Sequence, residues 1–118
     1  MADFQAVFDQ LKPMLQNVPG AIIAADEPGN YVLNTPYSEK YGKEVFLGAV
    51  QIKKNYVSFH LMPIYVFPDL VEGASTELKK HKQGKSCFNF KVVDDALFAE
   101  LAALTASAIE RFRQGGLL

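Results

Sequence analysis

The chain has 118 residues, 49% of them hydrophobic and 21% charged, with a formal net charge of −1 and one cysteine, Cys87. That length supports one core and not two, and the composition is that of a globular chain, not a disordered one. A near-neutral charge argues against bulk affinity for nucleic acid or acidic membranes, and a lone cysteine excludes an intramolecular disulfide or a multi-thiolate metal cage.

We therefore expect a single domain over residues 1–118, in a reducing, cytoplasmic setting. The opening MADFQAVFDQL has no basic cluster before an apolar run and does not read as a secretory signal. No apolar stretch approaches the ~20 residues needed to span a bilayer, so no membrane is expected as a partner.

Phe4, Phe8, Leu11 and Leu15 recur at helical spacing behind Asp3, a good N-cap, and Pro13 should kink or end that helix. AIIAAD and YVLNTP then read as two strands joined by the turn Glu27-Pro28-Gly29-Asn30. The stretch 37–43 is polar and loop-like. EVFLGAVQI and NYVSFHLM form a second hairpin across Lys53-Lys54. In its second strand Val57, Phe59 and Leu61 alternate with Tyr56, Ser58 and His60, which predicts one apolar and one polar face.

Pro63 should end that strand. Pro68 can open a short helical turn closed by Gly73, and Ser75 can cap a further short helix whose lysines suit its C-terminal end. SCFNFKV is another strand. Asp94 or Asp95 then caps a long helix with a core stripe of Leu97, Leu101, Leu104 and Ala108, flanked by Phe98, Ile109 and Phe112. The element order is α+β: a mainly antiparallel sheet of about five strands packed by an N-terminal and a long C-terminal helix. The Val57-Phe59-Leu61 face should meet Leu101 and Leu104.

The runs KKNYVSFHLMPIYVFPDL at 53–70 and GKSCFNFK at 84–91, leading into a helix with an acidic start, resemble the YdhG-like family of mostly uncharacterised bacterial proteins. The resemblance covers roughly positions 44–112 by order of elements. Some members are described as frataxin-like intracellular iron chaperones, and the resemblance implies that role as one alternative. It carries no agreed catalytic residue. Iron delivery of that type uses clustered carboxylates, whereas this chain has only the pairs Asp26-Glu27 and Asp94-Asp95, with Glu100 and Glu110 further on.

Other motifs have plainer readings. Gly84-Lys85-Ser86 lacks the first glycine of a phosphate-binding loop, since Lys79 stands there, and it leads into a strand. Cys87 with His60 would make an enzyme if a thiolate–imidazole pair formed, but a buried, unreactive cysteine between aromatic neighbours is the expectation. Two histidines are too few for a histidine-only zinc site, and no metal or other cofactor is expected.

The polar row Tyr56, Ser58 and His60 is the leading site feature, with Tyr65, Lys85 and Asn89 able to converge on the same space if the last helix or the 79–85 segment covers that face. The alternative is an ordinary wet sheet surface. Positions 40–85 hold eight lysines against four acids, a local balance of +4 that leaves −5 for the remainder. The expected function is thus a non-enzymatic binding module for a small polar or anionic ligand or a protein partner. Nucleic acid is a weaker partner class, and the sequence leaves a homo-oligomer open.

Overall fold

The structure is a computed structural model and describes residues 3–118. Helix α1 spans Phe4–Leu11, and the Asp3 carboxylate accepts the Ala6 N–H at 3.0 Å as its N-cap. Pro13 ends regular α-helix here: the chain tightens into a 3₁₀ turn over Lys12–Leu15, in which Pro13 needs no donor.

Strands β1 (Ile22–Glu27) and β2 (Asn30–Ser38) form a hairpin, and β3 (Lys43–Ile52) and β4 (Val57–Leu61) form the next. The stretch expected as a loop at 37–43 is shorter than that. Tyr37 pairs with Glu44 and Ser38 with Lys43, because β-bulges let these polar residues continue the ladder past Asn34.

After β4 the chain turns directly into α2 (Met62–Val66), with Pro63 in its first turn, then a 3₁₀ turn at Pro68–Val71 and the single-turn helix α3 (Thr76–Lys79). Ser75 caps α3 by accepting the Leu78 N–H at 3.1 Å. A two-residue strand β5 (Lys82–Gln83) and strand β6 (Cys87–Phe90) follow, and α4 (Asp95–Gln114) closes the fold behind its N-cap Asp94. Gly84 turns the β5–β6 hairpin at φ +70°, a conformation glycine adopts without strain.

The result is an α+β fold with one six-stranded sheet, ordered β1-β2-β3-β4-β6-β5, in which every pairing is antiparallel. The sixth strand is β5, too short to leave a periodic signal in the sequence. Among the described residues no helix is long and apolar enough to cross a membrane.

Val57, Phe59 and Leu61 are fully buried, in one apolar cluster with Val7, Phe8 and Leu11 of α1 and Phe98, Leu101 and Phe112 of α4. Phe59 lies between Val50 on β3 and Phe88 on β6, so it sits at the centre of the sheet. At Gly48, opposite Leu61, a Cβ would come within 2.9 Å of the His60 carbonyl and 3.2 Å of Leu15, so the sheet meets the 3₁₀ turn only where a side chain is missing.

The buried line of α4 is Phe98, Leu101, Thr105, Ala108 and Phe112, while Leu97 and Leu104 are only half-buried. This rotates the expected stripe toward Thr105, whose hydroxyl enters the core by donating to the Leu101 carbonyl at 2.8 Å. Leu104 packs at the margin of the cluster.

Phe59→Ala should cost about 3–5 kcal/mol in urea or guanidinium denaturation, since the surrounding strands and helices cannot close on the gap. A loss under about 1 kcal/mol would contradict the central placement of Phe59.

Candidate functional site

The pleat of β4 sends Ser58 and His60 to the face opposite the helices. Cross-strand register then assembles a polar row: Asn30 on β2 pairs with Gln51 on β3, Gln51 with Ser58 on β4, and Ser58 with Asn89 on β6. Gln51 Nε2 donates to Asn30 Oδ1 at 2.9 Å, and the Cys87 thiol donates to Asn89 Oδ1 at 3.3 Å. Ser58 is 1% exposed and its hydroxyl has no hydrogen-bond partner among the described residues. All the helices with residues in the core cluster lie on the Phe59 side, so α4 does not cover this row.

His60 stands opposite Cys87 on the neighbouring strand and meets Phe46 edge-on at 6.2 Å between ring centroids. Burial first, and the positive Lys53 second, hold its pKa below the ordinary value. The ring is therefore neutral at neutral pH. Cys87 is half-buried, more open than expected, because an open sheet face leaves its side partly wet. Burial raises the pKa of its thiol, outweighing the opposing effects of the Phe59 backbone and Lys53. A protonated thiol turned to Asn89 is not an activated nucleophile, although the fold brings cysteine and histidine side by side.

Two clefts flank the β5–β6 hairpin. The first, about 410 Å³, has Ile64, Tyr65, Pro68 and Val71 on one wall and Lys82 and Lys85 on the other. Lys85 Nζ lies 5.6 Å from the centre of the Tyr65 ring, and Lys82 Nζ donates to the Gly84 carbonyl at 2.6 Å. Among the described residues neither lysine meets a carboxylate. The outer wall is tied to α4 by Asp69, whose two oxygens accept from Arg111 at 2.8 and 3.2 Å. That fork also holds the Asp69 pKa below its usual range. Arg111 stacks over Phe67 at 4.4 Å. Further along, Glu100 accepts the Ser75 N–H at 2.7 Å and its hydroxyl at 2.6 Å, fixing α3 to the same helix.

The second cleft, about 360 Å³, opens at the other end of the hairpin among Tyr56, Lys80, His81, Gln83, Asn89 and Lys91. The six residues singled out in the sequence are thus divided. Tyr65 and Lys85 share the first cleft, Tyr56 and Asn89 the second, and Ser58 and His60 lie on the sheet face and line neither. Insertion of β6 between β4 and β5 is what separates them, since it puts the hairpin where a single pocket was expected. Lys82, His81 and Gln83 had no signal beyond membership of a lysine-rich segment.

Among the described residues no three His, Cys, Asp or Glu side chains gather as a metal would require. Asp94 caps α4, Glu100 holds Ser75, and Asp26 pairs with Lys12 at 2.9 Å. In comparisons with protein-family models, curated proteins and solved structures, nothing matched this chain.

An unpartnered buried hydroxyl costs about 1–3 kcal/mol, so Ser58→Ala should leave stability unchanged or raise it by about 1 kcal/mol. A clear destabilisation in chemical denaturation would mean that Ser58 has a partner. His60 makes a separate pH prediction. Its folded-state pKa lies below the unfolded value of about 6.5, so the stability it contributes is fully present above that pH and is lost as pH falls through the depressed value. Between about pH 7.5 and 5.5 the native chain should lose more stability than His60→Gln, and equal slopes would refute the assignment.

Proposed function

We propose that the domain is a non-enzymatic binding module for a small organic anion, seated in the cleft between the Met62–Val71 segment and the β5–β6 hairpin. One observation carries this reading: Lys82 and Lys85 face a 410 Å³ cleft with an apolar wall and no acid among its lining residues. A space of this size lies within the ~300–1,000 Å³ range of small-molecule sites. Two ammonium groups would hold a carboxylate or phosphate, while Pro68, Val71 and the Tyr65 ring would shelter the ligand's apolar body.

An iron-chaperone role, implied by the YdhG-like resemblance, has less behind it, because Asp94, Glu100 and Asp26 are engaged in a cap, a clamp and an ion pair, and among the described residues no three acids gather. An enzyme built on Cys87 lacks an activated thiolate.

Calorimetry with short-chain carboxylates and phosphate monoesters tests the reading. Lys82→Ala and Lys85→Ala should each weaken the best ligand by about tenfold, ~1.4 kcal/mol, with the denaturation midpoint unmoved. Binding that survives both substitutions, or sub-micromolar binding selective for iron and lost on changing Asp94 and Asp95, would overturn it.

A further inference from the structure

The cleft at the other end of the hairpin has different chemistry. Lys80, the C-cap of α3, and Lys91, which follows β6, bring two ammonium groups to it from separate parts of the chain. Lys91 makes no ion pair among the described residues, and Lys80 meets only the exposed Glu77, at 3.2 Å. No carboxylate is among the lining residues.

Apart from Val92, the remaining lining side chains are aromatic or amide. His81 is held rigidly: its ring stacks on Phe90 with centroids 4.7 Å apart and 27° between planes, and its Nδ1 lies 2.9 Å from the Asn89 carbonyl. A carbonyl only accepts, so Nδ1 carries the proton and Nε2 is left as an acceptor in the neutral ring. Asn89 uses its Oδ1 on the Cys87 thiol, which leaves its amide N–H groups as donors. Gln83 adds one further amide, with both a donor and an acceptor. Tyr56 adds an aromatic side chain to the lining.

We infer that this second cleft is a separate site for a mononucleotide, with the phosphate between Lys80 and Lys91 and the base edge read by Gln83, Asn89 and His81 beside the Tyr56 ring. A base presents alternating donors and acceptors on its edge and a π-face for stacking, which a simple carboxylate or sugar phosphate does not. Fixed acceptor, fixed donor and ambidextrous amide together suit such an edge, while the paired lysines supply charge without demanding a particular phosphate geometry. The inference is independent of the anion site in the first cleft, with which it shares no lining residue.

Titration of the full chain carrying Lys82→Ala and Lys85→Ala, which removes both cations of the first cleft, with adenosine and guanosine monophosphates, ribose 5-phosphate and adenosine, at constant ionic strength and followed by calorimetry, tests it. At least one mononucleotide should bind about tenfold tighter than ribose 5-phosphate or adenosine. In that background Lys91→Ala and Tyr56→Ala should each weaken it about fivefold, and Tyr56→Phe should restore most of the loss. Lys91 is exposed, so its removal reads out binding without disturbing the fold. Ribose 5-phosphate binding as well as the mononucleotides in that background, no effect of Lys91→Ala, or no mononucleotide binding at millimolar concentration would each overturn the inference. So would a short single-stranded oligonucleotide binding far tighter than any mononucleotide, because the site would then belong to a strand.

Discussion

Successive side chains of a strand must leave on opposite sides of the sheet, and in β4 that rule divides the molecule. Phe59 is committed to the helices, between Val50 and Phe88, so Ser58 and His60 are committed to the other face. Everything on the helix side follows from burying that one row of large side chains. Shifting the register of β4 by one residue would expose Val57, Phe59 and Leu61 together and bury His60, which makes the pairing of β4 strongly specified.

The segment between β4 and β5 answers a second need, since the chain must travel from the middle of the sheet to its far edge. It does so over α4, held at two points by side chains of that helix. Arg111 grips Asp69 with its two terminal nitrogens, and Glu100 accepts from both donors of Ser75. Exposed ion pairs contribute little stability on their own. Their effect here is positional, because Asp69 lies within the Pro68–Val71 turn that forms one wall of the first cleft. Glu100 has its pKa lowered by Ser75 and Asp69 by Arg111, so both clamps are ionised at neutral pH.

Charge is distributed in keeping with this layout. Asp3, Asp94, Asp69 and Glu100 are used in caps and clamps, whereas among the described residues Lys82, Lys85 and Lys91 have no carboxylate partner along the β5–β6 hairpin. A nearly neutral chain therefore carries a positive edge. The histidine and cysteine of the open face have their pKa values moved toward the neutral species, mainly by burial, so that face contributes hydrogen-bonding groups and not charge.

The α+β order, the Asp3, Ser75 and Asp94 caps, both long hairpins and the two-faced character of β4 were legible in the sequence, because each depends on neighbours a few residues apart. The rotation of the α4 stripe toward Thr105 was not, since a threonine enters a core only where a backbone carbonyl in the same helix takes its proton. Nor was β5: two residues have no period, and Lys82-Gln83 becomes a strand only because β6 is already paired to β4 and offers its free edge. That insertion decided the site. Tyr65 and Lys85 were brought together across the 62–85 excursion, Tyr56 and Asn89 across the β4–β6 ladder, and the division between the two clefts exists only in the folded sheet, where strand order is set by packing and not by position along the chain.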